Sequence, residues 1–268
     1  MASGNIADRA KLPRVDSSST AHPSAFPLLI AAICASEVVL VFVNVAAGVV
    51  LDAVVLVAIL SLQAMRPGRD GRAMVTLALV PLLRILSLTM PVPGIPPVYW
   101  AGLIGAPLAL GGMLAARAIG LGREELGLKR SPWLPQVAIA ALGLPAGLAA
   151  WLIGRPGSLI EDGASPAEIV LVALLLVVFV ALTEEFIFRG VVQSGLSVTY
   201  ARGAVMMGAI LYGAMYLGSL SLGYALFMTL IGLLYGLLVD RTGSIVGVCA
   251  SHAILVLGAF LAWPALLG

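Results

Sequence analysis

Long apolar runs separated by short polar breaks dominate the chain. About 20 apolar residues are needed per bilayer crossing. A window of about 19 residues predicts spanning helices at 25–44, 47–65, 73–91, 98–117, 136–154, 167–188, 203–218, 222–239 and 244–264. The breaks carry helix-stopping and charged residues, from Arg66 to Gly71, Pro91 to Pro97, Gly154 to Gly157, Gly218 to Gly223 and Asp240 to Gly243. Residues 1–24, with Arg9, Lys11 and Arg14, are polar and aperiodic and read as a disordered cytoplasmic tail. A cleaved signal peptide fits less well than a signal anchor, because Glu37 interrupts the first apolar run and a second run follows at once.

The basic residues test this count of nine. With the N-terminus inside, the cytoplasmic segments hold Arg9, Lys11, Arg14, Arg66, Arg69, Arg72, Arg117, Arg123, Lys129, Arg130, Arg189, Arg202 and Arg241, which is 13 of the 15 Lys and Arg residues. Cytoplasmic loops carry such an excess. The expected fold is an all-α polytopic membrane helix bundle of about nine transmembrane helices, N-in and C-out. It divides into the 1–24 tail, N-terminal helices one to five at 25–166 and a core of helices six to nine at 167–268.

Composition narrows the function. Of 268 residues, 61% are hydrophobic and 10% charged, against about half and about a quarter in soluble domains. No soluble domain of ordinary size fits beside nine spans, so the function lies within the helices. The net charge of +2 is small and follows topology, which argues against nucleic-acid binding. Cys34 and Cys249 sit in apolar runs far apart and form neither a disulfide framework nor a C-x-x-C pair. An Arg-rich, Ala- and Gly-rich composition fits a GC-rich bacterial genome, and with the apolar spans the expected place is the bacterial inner membrane, as a multi-pass protein. Its basic loops are expected to meet anionic lipid headgroups, with 123–130 forming either a short interfacial helix or a plain loop. The Gly and Ala density at 140–147 suits close helix packing.

Ionisable residues inside spans cost about 2.5–3.5 kcal/mol each at the helix centre and call for a partner or a function. Glu37 and Arg84 fall at similar depths on two outward-running helices and are expected to form a structural ion pair. Asp52, near the outer end of the second helix, is expected to be solvated at the interface. The sixth helix carries Glu184 and Glu185, about one turn above its expected cytoplasmic end, followed by Arg189. Glu185 and Arg189 share a face at i, i+4, while Glu184 points about 100° away. Arg189 is therefore expected to neutralise Glu185, leaving Glu184 free to project into the bundle.

Glu184-Glu185-x-x-x-Arg189-Gly190, followed by three more helices, resembles the first motif of the CAAX-protease and bacteriocin-processing (CPBP, or Abi) family of glutamic-type intramembrane proteases. The stretch from Gly232 to Ser244 is similar to that family's penultimate helix and turn, and Ser251-His252-Ala253 to its last His motif. The resemblance covers Ile169 to Leu267. Two positions depart from it: Tyr216 stands where the second motif has histidine, and Val256 where the third has asparagine. The resemblance implies an endopeptidase in which Glu184 is the general base and His252 an oxyanion donor or proton shuttle. Glu185 and Arg189 orient them, and Tyr216 occupies the missing histidine's place. A phenol donates hydrogen bonds but, with a pKa near about 10, is a poor proton acceptor at neutral pH. The substrate implied is a membrane-anchored protein or peptide cleaved near the cytoplasmic leaflet, with no cofactor. Zinc chemistry is disfavoured, because His22 and His252 are the two histidines and no H-E-x-x-H occurs. The rival readings are a catalytically silent relative that binds a peptide or partner in an immunity or scaffold role, and a transporter lined by the intramembrane charges.

Overall fold

The computed structural model describes residues 25–65, 69–89, 94–160, 163–200 and 203–267. The tail expected at 1–24, and Arg66 and Arg202 among the expected inner cations, lie outside them. Among the described residues the chain is all helical, in nine helices. These are α1 (Ala25–Phe42), α2 (Val45–Met65), α3 (Arg69–Leu77 and Leu79–Thr89), α4 (Pro97–Ala118), α5 (Trp133–Gly154), α6 (Pro166–Ser197), α7 (Ala204–Ser219), α8 (Leu222–Thr242) and α9 (Val246–Leu267). Eight are long and apolar enough to cross a bilayer, and α7 is shorter. This is a multi-pass membrane bundle.

Local sequence explains the irregularities. Proline lacks an N–H and its ring crowds the carbonyl four residues earlier. Pro81 thus interrupts α3 after Leu77, and Pro145 interrupts α5 after Ala141. Asn44 starts α2 by accepting a hydrogen bond from the Ala47 amide at 3.0 Å. α6 opens with a capping box: the Ser165 hydroxyl accepts from the Glu168 amide, the Glu168 carboxylate accepts from the Ser165 amide, and Pro166 follows at the first helical position.

α6 is the axis, with α3, α4, α7, α8 and α9 packed around it. It continues nine residues beyond its expected end at 188, through Val192 and Leu196, which are fully buried by other helices. At 1.5 Å per residue this 32-residue helix is about 48 Å long. Glu184 therefore lies about 20 Å along the helix from Ser197 and about 27 Å from Pro166, not one turn from its end. The segment at 123–130 forms no helix. It is a strap across one end of the bundle, where Leu128 bridges to Ser244, Gly127 accepts from the Ile245 amide at 3.0 Å, and the Ser194 hydroxyl donates to the Glu125 carbonyl at 2.6 Å. Local turn bonds, such as Leu128 N–H to the Arg123 carbonyl at 2.8 Å, fold the strap, and the tertiary bonds fasten it to α6 and to the start of α9.

Asp52 also differs from expectation. It is fully buried and accepts a short hydrogen bond from Ser36 on α1. The tight α1–α2 hairpin carries it inside the bundle, away from the interface.

Candidate active site

The two glutamates occupy a helix segment with unusual backbone. Thr183–Glu185 is flanked by π-helical stretches at Leu176–Leu182 and Phe186–Val192, a device that recurs at functional sites. The Thr183 hydroxyl donates to the Val178 carbonyl five residues back, at 3.0 Å. Being adjacent, Glu184 and Glu185 face different neighbours.

Glu185 turns toward α9 and is fully buried. Its Oε1 lies 2.9 Å from Nδ1 of His252 and 3.1 Å from Nη1 of Arg189. Arg189 is buried too, with its guanidinium 4.2 Å from the ring centre of Tyr212 and 5.7 Å from that of Tyr235. This is a cation held between an anion and two π faces. The Tyr235 hydroxyl shares a 2.8 Å hydrogen bond with Ser251, which fixes the turn of α9 that bears His252. With Glu185 ionised, Nδ1 of His252 is the donor, and Nε2 has no hydrogen-bond partner.

Glu184 is half-buried and turns toward α7 and α3. Its Oε2 accepts a 2.9 Å hydrogen bond from the Tyr216 hydroxyl, and that hydroxyl lies 3.3 Å from the hydroxyl of Tyr212. Glu184 and both tyrosines line a cavity of about 190 Å³ together with Leu83, Arg84, Ser87, Phe188 and Met215. Arg84 enters it from α3 as half of the expected ion pair. Its Nε and Nη2 donate to the two oxygens of Glu37 at 2.7 and 2.5 Å, and Nη2 also donates to the Met215 carbonyl at 2.7 Å.

The structure thus divides the residues singled out from sequence into two groups. Glu185, Arg189 and His252 form one sealed cluster, with Arg189 on Glu185 as the i, i+4 spacing predicts. Glu184 and Tyr216 form the other, facing the cavity. Tyr212 links them: it lines the cavity, covers Arg189 and stands edge-on to the His252 ring at 6.4 Å. His252 itself is not among the cavity-lining residues.

Tyr216 reaches Glu184 because the extension of α6 places the two at similar distances from the facing ends of α6 and α7, at Ser197 and Ala204. Glu184 is 13 residues before Ser197 and Tyr216 is 12 residues after Ala204, about 20 and 18 Å along antiparallel helices. Sequence reading gave no role to Tyr212, Tyr235 or Ser251. For Tyr212 a signal was present in its i, i+4 spacing to Tyr216, which puts both rings on one face.

Residues 166–258 match the family model described as Type II CAAX prenyl endopeptidase Rce1-like. No curated protein and no solved structure matches the chain. The matched segment starts where α6 starts and includes Glu184, Glu185, Arg189, Tyr216 and His252, while Glu37 and Arg84 lie outside it. The helices that build both carboxylate clusters, α6 to the first three turns of α9, are therefore similar to the Rce1-like type II CAAX prenyl endopeptidases, members of the CPBP family that the sequence motifs resemble.

Proposed function

We propose that the protein is an intramembrane glutamic-type endopeptidase that hydrolyses a peptide bond of a membrane-anchored protein or peptide. The observation that carries this reading is Glu184, a half-buried carboxylate facing a cavity inside the bundle, with its neighbour Glu185 already paired to Arg189 and His252. In the reaction Glu184 takes a proton from a water molecule. The water oxygen bonds to the scissile carbonyl carbon, and the carbonyl π pair moves onto oxygen. When that pair returns, the C–N bond breaks and Glu184 delivers its proton to the leaving amine, giving a carboxylic acid and an amine. Tyr216 fixes one oxygen of Glu184 and leaves the other to face water. Glu185, Arg189 and His252 act behind the cavity as positioning residues: Arg189 and Nδ1 of His252 both hold Oε1 of Glu185, which keeps that carboxylate turned away from Glu184.

Cleavage is assigned near the cytoplasmic leaflet of a bacterial inner membrane. His252 lies six residues, about 9 Å, from the start of α9. That end of the bundle carries Arg117, Arg123, Lys129, Arg130 and Arg241, and this excess of basic residues supports reading it as the inner one. The same side chains would meet anionic headgroups.

A second reading has its own support. The hydrogen bond from Tyr216 occupies an oxygen of Glu184, and with tyrosine in the histidine's place the site suits a relative that binds a peptide without cutting it. The two are separated by Glu184→Gln. Membranes of cells carrying wild type or Glu184→Gln are compared for N- and C-terminal peptides of membrane proteins. The endopeptidase reading expects one set of fragment termini to fall at least about a hundredfold, the usual worth of a general base, with the variant folded as wild type. Identical termini in both, with a peptide still co-purifying, would establish the binding reading.

A further inference from the structure

The endopeptidase reading leaves one chemical need unmet. A tetrahedral intermediate carries a full negative charge on oxygen and requires a donor aimed at it across the cavity. Val256 stands where the family motif has asparagine, Tyr216 is engaged with Glu184, and His252 does not line the cavity. On the cavity wall the cationic donor is Arg84.

We infer that Arg84 of α3 is the oxyanion donor of this enzyme, a catalytic residue supplied by the helices outside the family-matched segment. The inference rests on the endopeptidase reading. Three features of the site support it. First, the guanidinium is held at three points, by the two oxygens of Glu37 and by the Met215 carbonyl, so no reorganisation is needed when charge develops. Second, Nε and Nη2 carry all three of these bonds, and Nη1 remains as a donor on a side chain that lines the cavity. Third, the charge balance suits the reaction. Glu37 neutralises Arg84 in the resting state, so Arg84 does not quench Glu184. Once Glu184 has taken the proton from water, the oxyanion becomes the uncompensated charge in the cavity, and Nη1 of Arg84 is the donor left on this lining side chain to bond it. A cavity of about 190 Å³ accommodates a peptide group and a water between these walls. The Met215 carbonyl adds a consequence: Arg84 sets the position of the turn that carries Tyr216, so donor and base are mounted on one hydrogen-bonded frame.

The test replaces the pair as a unit. Exchanging both members of a buried ion pair for apolar residues of similar size is often neutral for stability, so Glu37→Leu/Arg84→Leu removes the donor without leaving an unpaired charge. The substrate is a synthetic peptide spanning the termini that depend on Glu184, assayed in detergent micelles with the full-length protein. Thermal unfolding is measured alongside. The expected result is a folded double variant whose kcat is about 10²–10³-fold lower, the cost of losing one oxyanion donor, with KM within about threefold of wild type. A pair that only sets the Met215 turn predicts instead a folded double variant with a kcat no lower than that of Tyr216→Phe, which loses the same hydrogen bond to Glu184, and that result overturns the proposal while the endopeptidase reading stands. If the double variant does not fold, Arg84→Lys decides. Its ammonium can pair with Glu37 but has no second arm for the cavity, so a fall in kcat of more than about tenfold at constant KM supports the donor role and wild-type kcat refutes it. If no termini depend on Glu184 at all, the endopeptidase reading itself fails and the donor role falls with it.

Discussion

Replacing Arg189 with methionine is expected to destabilise the folded protein by about 3–5 kcal/mol, the usual cost of removing one partner from a buried ion pair. The change leaves Glu185 fully buried with His252 as its remaining polar contact, in a part of the chain where neither water nor lipid headgroups can compensate. The two tyrosine rings that cover the guanidinium also lose their cation. Pairing the change with Glu185→Gln removes the orphaned charge, and this double variant is expected to recover most of the lost stability. Thermal unfolding of the three variants in one detergent checks both statements. A single variant as stable as wild type would mean that Arg189 does not compensate the charge on Glu185.

Gly143→Val is the second large effect. α5 and α9 cross so closely that a Cβ at Gly143 would lie 2.2 Å from the Ser251 carbonyl oxygen and 2.8 Å from Cβ of Ile254. Both obstacles are backbone or backbone-proximal, so the helices themselves must separate. One turn further on, Gly147 makes the same kind of contact with the Leu255 carbonyl, at 2.9 Å. The small-x-x-x-small spacing permits backbone approach where lipid offers no hydrophobic drive to pack helices. Overpacking of this kind costs about 1–3 kcal/mol and sometimes more. The displaced residue is Ser251, so the Tyr235 hydrogen bond is lost and His252 leaves the position that pairs it with Glu185. Loss of activity is therefore expected to exceed what the fall in stability explains. Gly143→Val should unfold at lower temperature and, well below that temperature, should cleave at least about tenfold more slowly, since small misplacements of catalytic groups carry large rate costs. Wild-type turnover at low temperature would show that the seam holds α9 in place without aligning His252.

Much of the bundle was legible because each span is a predominantly apolar run, with at most a few ionisable residues, bounded by Gly, Pro or charge. The nine expected spans coincide with the nine helices to within a few residues at most ends. The exception with consequences is α6. Hydropathy falls at Arg189, which predicts a helix end there, yet Arg189, Gln193 and Leu196 are all buried. A polar residue that ends a lipid-facing helix does not end one enclosed by other helices. A helix ending at 188 puts Glu184 one turn from the inner boundary, whereas Tyr216 falls near the opposite end of the 203–218 span.

The Glu37–Arg84 pair was predictable from matching depths, and the Glu185–Arg189 pair from helical spacing. The same spacing separates a paired Glu185 from a free Glu184, but that His252 joins the first and Tyr212 stands between the two depends on how α9 and α7 pack against α6, which no local pattern encodes. The burial of Asp52 depends in the same way on the α1–α2 hairpin.

The length of α6 bears on how the site relates to the surrounding lipid. A helix of about 48 Å exceeds the hydrocarbon core of about 30 Å, and an isolated helix of that kind tilts or deforms the bilayer to hide its surplus. In α6 the surplus ends in a polar clasp: Gln193 donates to the Gly236 carbonyl at 3.0 Å and Ser194 to the Glu125 carbonyl at 2.6 Å. The strap that provides Glu125 is itself tied to the start of α9. Hydrophobic matching therefore does not set the height of the glutamates. They are registered against the protein's own frame, and thinner or thicker membranes would slide past the bundle while the carboxylates kept their place relative to its basic rim.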